Sequence, residues 1–122
     1  MLRRFLQSFR YAGRGLLRLL REERSFRVQT FIAAVVLILI GVFPLRIWEV
    51  IVVILSIVMV LILEILNSVV ERLVDALKPR IHPYVEVIKD MMAGAVLIAS
   101  LGAVIVGLII FVPYLLDSIR NL

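Results

Sequence analysis

A polar stripe interrupts one of the most apolar stretches of this chain. In LILEILNSVVERLVD, carboxylate and amide side chains stand three, four and four residues apart, at Glu64, Asn67, Glu71 and Asp75. At about 100° per residue of an α-helix, these positions fall within roughly 80° of one another on one side. An ionisable group inside an apolar span is costly and is a functional candidate by default. We expect Glu64, Asn67 and Glu71 to take part in chemistry, whereas a solvated helix face explains Asp75 equally well.

Other residues point to a metal-assisted reaction on phosphate. Carboxylate oxygens suit Mg²⁺, which proteins usually hold with one or two carboxylates together with substrate phosphates. Zinc is not expected, since the chain has no cysteine and one histidine, His82, in the Pro-flanked loop KPRIHP. Lys89 and Asp90 are adjacent: the lysine either binds a phosphate or extends from a helix start to the membrane interface.

The composition places these residues in a membrane protein. With 122 residues and 63% hydrophobic content, the chain cannot bury its apolar surface in one soluble core. Apolar stretches at 30–43, 50–66 and 91–116 predict three transmembrane helices once the flanking residues are included. We expect one all-α membrane domain over 1–122, with a surface helix at 1–27 and spans at about 28–45, 48–66 continuing to 77, and 91–116.

The arginines predict the orientation of these spans. Residues 1–27 carry eight arginines and only two carboxylates, which indicates a cytoplasmic N-terminus. Four cations follow in 67–90, whereas the turn at 43–49 has only Arg46 and the tail only Arg120. We therefore expect a multi-pass protein of the inner (cytoplasmic) membrane. In this orientation the polar stripe and Lys89 meet at the cytoplasmic interface.

The N-terminal segment is amphipathic. Its arginines gather on one side of a helical wheel and its leucines and phenylalanines on the other, a pattern typical of a helix lying among lipid headgroups. It either anchors the protein or also lines a site where a lipid headgroup meets a soluble substrate. Gly13 and Gly15 weaken a helix and favour the second interpretation if close packing requires them. A nucleic-acid partner is not expected, because lipid would cover the apolar face.

Two adjacent carboxylates, Glu22 and Glu23, stand where this surface helix turns into the first span. The neighbouring arginines in REERSFR could neutralise both. For Glu23 the alternative is a ligand role, because the junction reaches the same interface as the polar stripe. Together these features favour transfer of a phosphoryl group from a cytoplasmic nucleotide to a lipid alcohol, without a Walker or protein-kinase signature. A proton-coupled transporter or a structural membrane protein is the alternative from another class.

Several motifs resemble the prokaryotic diacylglycerol kinase family of small integral membrane lipid kinases. The resemblance covers nearly the whole chain and rests on SFRYAGRG (8–15), REERSFR (21–27), EILNSVVERLVD (64–75), HPYVEVIKDMMAGAVLIA (82–99) and VGLIIFVP (106–113). The AGRG turn, the His-Pro pair before Lys-Asp and the GLIIFVP ending look more like the undecaprenol branch than the diacylglycerol branch. The resemblance implies phosphorylation of undecaprenol, or alternatively of diacylglycerol, with ATP as co-substrate.

The resemblance also implies roles for single residues. Glu64 matches the proposed general base, with Asn67 as a polar neighbour that could orient the site. Glu23 and Glu71 match the ligands of the Mg²⁺ that accompanies ATP. The remaining matches are to nucleotide-binding or substrate-binding positions: Arg4, Tyr11, His82, Lys89 and Asp90.

Two positions depart from the diacylglycerol kinase pattern. Gln29 stands where that branch has an acidic residue, and Arg80-Ile81 stands where it has an acid and an aromatic. Both departures put diacylglycerol specificity in doubt and leave the proposed base and metal ligands intact. Three helices cannot by themselves surround both substrates, so we expect a homo-oligomer with shared sites. The resemblance implies a homotrimer, and the small residues of the third span suit close helix contact in lipid.

Overall fold

Four α-helices account for nearly the whole chain. The computed structural model describes all 122 residues apart from the side chains of Pro79, Ile81 and His82. The helices are α1 (Leu2–Glu22), α2 (Arg24–Val42), α3 (Ile47–Ala76) and α4 (Lys78–Arg120). In α2, α3 and the Pro83–Arg120 part of α4, the described chain has three helices long and apolar enough to cross a membrane. The predicted all-α membrane class, with an N-terminal helix before three spanning helices, is confirmed.

A single extended residue, Glu23, separates α1 from α2 (φ −108°, ψ 109°). Its N–H donates to the carbonyl of Leu19 at 2.9 Å. The Arg27 guanidinium donates to the carbonyls of Leu20 (3.1 Å) and Arg21 (2.8 Å) and so satisfies acceptors at the C-terminal end of α1 that lack helical partners. The junction between the amphipathic helix and the first span is therefore short and braced.

The turn between α2 and α3 is fixed by a buried carboxylate. Glu49, in the first turn of α3, accepts a hydrogen bond from the Arg46 N–H at 2.9 Å, which caps the helix. The same carboxylate oxygen accepts from the Tyr114 hydroxyl of α4. The ring of Phe43 packs against Phe111 and Tyr114, with centroids 6.3 Å apart in both pairs. This cluster joins α3 to α4 at the end of the bundle opposite the polar stripe.

The sequence predicts a loop at KPRIHP, and this prediction is wrong. Helix α4 begins at Lys78, immediately after Leu77, the one residue that separates it from α3. Pro79 stands in the first turn of α4, where its missing N–H would have no helical partner in any case. At 43 residues α4 is about 64 Å long, against a hydrocarbon thickness of about 30 Å. Its N-terminal part therefore extends beyond the hydrocarbon alongside the end of α3.

Candidate active site

Glu64 lies buried on α3 with 5% of its surface exposed. One turn further on, Ser68 is also buried, and Asn67 is half-buried between them. The Gln29 amide of α2 faces the Glu64 carboxylate, and the carboxylates of Glu71 and Glu23 lie within electrostatic range of it. Among the described side chains no cation forms a salt bridge with Glu64. A buried carboxylate without a salt bridge is in a position to accept a proton.

Glu23 is held by a cation from a distant part of the sequence. The Arg72 guanidinium on α3 donates to Glu23 at 3.1 Å and to Glu22 at 2.7 Å. The sequence suggests instead that the neighbouring arginines neutralise these carboxylates. One of those arginines, Arg27, caps the C-terminal end of α1. The pairing connects the α1–α2 junction to α3 one residue after Glu71. The structure therefore brings Glu23 to the polar stripe.

Lys89 pairs with Asp75 across the α3–α4 hairpin, with 2.8 Å between Nζ and Oδ1. Glu71 and Glu86 are further carboxylates close enough to act on Lys89 electrostatically. Asp75 is exposed, as expected of a solvated helix face, but it also holds the lysine. Asp90, next to Lys89, is exposed on α4. The ion pair with Asp75 thus places Lys89 beside the polar stripe.

Two further predicted residues, Arg4 and Tyr11, are not brought to this cluster within one chain. Arg4 and Tyr11 lie on α1 and are exposed, Tyr11 by 64%. His82 lies on α4, and its side chain is outside the described residues. The nucleotide-binding roles implied for these three positions remain predictions.

Two apolar cavities border the turns of α3 around Glu64. One, of about 430 Å³, lies between α1 and α3 and is lined by residues that include Gly15, Leu19, Ile65, Ser68 and Arg72. The other, of about 420 Å³, lies between α2, α3 and α4. Its lining includes Gln29 and Leu61. Glu64 lines neither cavity, but Leu61 and Ile65, which line one cavity each, stand on either side of it along α3.

The glycines of α1 are not required by packing within one chain. A Cβ atom added at Gly13 or Gly15 would meet no other atom within 4 Å. Gly15 nevertheless lines the cavity between α1 and α3.

The oxygen donors fit a magnesium site completed by a substrate. Among the described side chains, no group of three or more His, Cys, Asp or Glu is arranged to hold a metal ion by itself. Glu23 already holds a cationic guanidinium, and the carboxylates of Glu23 and Glu71 are both within electrostatic range of Glu64. Mg²⁺ is usually held by one or two such hard carboxylates together with substrate phosphates.

Sequence patterns predict neither the contacts of Arg72 nor the pairing of Asp75 with Lys89. A single arginine in the hydrophilic end of an amphipathic helix is ordinarily a solvated charge. The pairs that Arg72 forms span 49 and 50 residues of sequence, so no helical spacing could reveal them. These contacts depend on how α1, α2 and α3 meet.

Comparison with known proteins identifies the family of this chain. Residues 10–111 match the family model described as prokaryotic diacylglycerol kinase. The chain is 39% identical over 114 residues to an undecaprenol kinase of Bacillus subtilis, covering 93% of each protein. It is 38% identical over 113 residues to a diacylglycerol kinase of Synechocystis, covering 92% of this chain and 65% of that protein. The matched range includes every predicted site residue except Arg4, and the chain belongs to the prokaryotic diacylglycerol kinase family.

Proposed function

We propose that this protein transfers the terminal phosphoryl group of ATP to undecaprenol, with diacylglycerol as the alternative lipid. The observation that carries the reaction class is the buried carboxylate of Glu64, which has apolar cavities on the neighbouring turns of α3 and the carboxylates of Glu23 and Glu71 within electrostatic range. Membership of a lipid kinase family decides against the transporter alternative.

Glu64 is the general base in this proposal. It accepts the proton of the lipid hydroxyl as the hydroxyl oxygen attacks the terminal phosphorus of ATP, and ADP leaves on the opposite side. Such a transfer depends mainly on alignment and on charge neutralisation around the phosphate oxygens. Asn67, one turn along the same helix, orients the groups beside the base.

Glu23 and Glu71 would hold Mg²⁺ together with the ATP phosphates. When bound, the ion neutralises the charge that develops on the transferred phosphoryl group. Lys89 and Asp90 bind the nucleotide, Arg4, Tyr11 and His82 approach it from α1 and α4, and Asp75 keeps Lys89 on the side of α3. Lys89 is available to bind the nucleotide because the Asp75 carboxylate with which it pairs is exposed, and an exposed ion pair can exchange partners.

Two observations favour undecaprenol over diacylglycerol as the substrate: the share of each relative that aligns with this chain, and the presence of Gln29 beside Glu64. The undecaprenol kinase relative aligns over 93% of both chains, whereas the diacylglycerol kinase relative is longer. At Gln29, a neutral amide faces Glu64 and lines an apolar cavity. A neutral, apolar surrounding suits an isoprenoid alcohol, whose chain carries no ester oxygens near the hydroxyl.

The proposed assembly is a homotrimer in the inner membrane, with the N-terminus and active site on the cytoplasmic side. The arginine-rich α1 supports this orientation. The isolated chain leaves most of its large apolar side chains exposed, and only seven hydrophobic residues are buried among the described side chains. Lipid and neighbouring copies would cover that surface.

A side-by-side lipid assay tests the function. Purified protein in mixed micelles receives Mg²⁺, ATP labelled on the terminal phosphate, and either undecaprenol or diacylglycerol at equal mole fraction. We expect label to enter undecaprenol faster, and to enter neither lipid when the metal is chelated. Faster labelling of diacylglycerol would reverse the substrate assignment, and labelling of neither lipid would refute the kinase function.

A further inference from the structure

One arginine is shared between two carboxylates at the junction of α1 and α2. The same Arg72 nitrogen lies 2.7 Å from Glu22 and 3.1 Å from Glu23. The Glu23 side chain is 26% exposed, and the other two are about half exposed, so water and ions can reach the cluster. Arg72 is the one cation, among the described side chains, within salt-bridge distance of either carboxylate.

The arginines nearer in sequence do not take this role. The Arg27 guanidinium is committed to the carbonyls of Leu20 and Arg21. Arg24 is exposed at the start of α2 and forms no salt bridge in the described part of the chain. Neutralisation of Glu23 therefore depends on one residue of α3, which follows Glu71 directly.

The two ion pairs of Arg72 are unequal. The shorter contact is to Glu22, which has no assigned role in the reaction, and the longer contact is to Glu23, a proposed metal ligand. A divalent ion on Glu23 would repel the guanidinium at such short range. Glu22 offers the guanidinium a second carboxylate without any movement of α3. The arginine can thus leave Glu23 and remain paired.

We propose that Arg72 is a built-in counter-cation that occupies Glu23 in the metal-free protein and yields it to Mg²⁺ when the nucleotide binds. This inference rests on the proposed function, which assigns Glu23 to the metal. Without nucleotide, Arg72 competes with the ion and keeps the metal affinity low. With nucleotide, the phosphates supply the negative charge that balances both cations. The device couples metal binding to arrival of the substrate phosphates, and Arg72 acts as a positioning residue.

Metal binding in the absence of nucleotide tests the exchange without any turnover. The probe is Mn²⁺, titrated into full-length protein in lipid nanodiscs and followed by the loss of its free electron paramagnetic resonance signal. We expect Arg72→Gln to bind Mn²⁺ about fivefold more tightly than the wild type, since an ion pair of this exposure corresponds to a factor of that order. Glu22→Gln, which leaves Arg72 with Glu23 alone, should bind Mn²⁺ more weakly.

Arg24→Gln is the matched control. It removes the same charge from the same junction without breaking a described ion pair, and its Mn²⁺ affinity should stay within about twofold of the wild type because screening weakens exposed charges. If Arg24→Gln and Arg72→Gln bound Mn²⁺ more tightly by the same factor, the loss of one positive charge would explain the change. That result would overturn the exchange of Arg72 for the metal on Glu23. Weaker or unchanged binding in Arg72→Gln would also overturn it, because a simple brace between α1 and α3 predicts that result.

Further variants distinguish failure of the exchange from failure of the metal role of Glu23 and from failure of the kinase function. If Arg72→Gln does not fold, Glu22→Gln decides, because unchanged or tighter Mn²⁺ binding in that variant contradicts the exchange. Glu23→Gln should remove most nucleotide-free binding, and insensitivity to that substitution would refute the metal role of Glu23. Failure of the lipid kinase function itself would appear in the labelling assay, where no lipid would be phosphorylated even by the wild type.

Discussion

Glu49 and Glu64 are two buried carboxylates on one helix with opposite surroundings. Glu49 accepts hydrogen bonds from the Arg46 N–H and the Tyr114 hydroxyl, so its charge is stabilised in place. Glu64 faces a neutral amide and two other carboxylates, and forms no salt bridge with the described side chains. The first surrounding suits a structural group, and the second suits a group that gains and loses a proton.

Glu64→Gln should therefore lower kcat for lipid phosphorylation by at least about a hundredfold, since it removes the proton acceptor while keeping the volume of the side chain. The labelling assay measures this, with size-exclusion chromatography to confirm that the variant is folded and assembled. The matched control is Glu49→Gln, about 22 Å away along α3, which should retain kcat. Full activity of Glu64→Gln would remove it from the base role.

At the scale of the elements, the two ends of the α3–α4 pair are held by different interactions. Ion pairing between Asp75 and Lys89 joins the end that carries the polar stripe. The opposite end is joined by Glu49, Tyr114 and the aromatic packing of Phe43. Salt screens an exposed ion pair more than a buried hydrogen bond. The contact between α3 and α4 is therefore weaker at the end with the candidate site, and this end opens more readily.

Tyr114→Phe removes one donor to Glu49 while keeping the aromatic packing. We expect the midpoint of thermal unfolding in nanodiscs to fall by about 2 to 5 °C, because a part-buried carboxylate loses a hydrogen bond. Lipid phosphorylation below that temperature should be unchanged. Tyr84→Phe, at an exposed tyrosine of the same helix, is the control and should leave the midpoint in place. An equal fall in both variants would contradict a clamp at Glu49.

At the scale of the whole molecule, one chain is an incomplete enclosure. A Cβ at Gly94, Gly102 or Gly107 of α4 would contact nothing within 4 Å. These glycines therefore serve no close packing inside the chain, although small residues in membrane helices commonly mark contacts between helices. The proposed homotrimer supplies a reason for them.

Gly102→Leu tests that reason. A Cβ at this position meets nothing within 4 Å, so we expect the fold of one copy to survive, whereas close contact between copies would be blocked. We expect loss of the trimer, measured by chemical cross-linking in membranes, together with loss of lipid phosphorylation. Gly102→Ala is the control for size and should remain trimeric. A Gly102→Leu protein that still forms active trimers would exclude this part of α4 from the interface.

The sequence by itself determined the helices, their number and the stripe from Glu64 to Asp75. These are local properties: apolar runs of sufficient length must become helices in lipid, and the helical repeat places residues three and four apart on one side. It also indicated the family through motifs in nearly every element. At KPRIHP, local proline signals predict a loop, but Pro79 stands in the first turn of α4, where proline is compatible with helical geometry, and α4 continues through Pro83.

Only the tertiary structure decided which charges meet. Three sets of contacts join separate elements of the chain: those of Arg72 with Glu22 and Glu23, of Lys89 with Asp75, and of Tyr114 with Glu49. The residues of the Arg72–Glu22 pair are 50 positions apart in the sequence, and those of the Tyr114–Glu49 pair are 65 apart. Such pairs depend on the crossing of helices and on the single-residue break at Glu23, and no spacing along the chain encodes either. The residue types of the candidate site could thus be predicted, but their partners could not, because helical periodicity fixes faces and packing fixes neighbours.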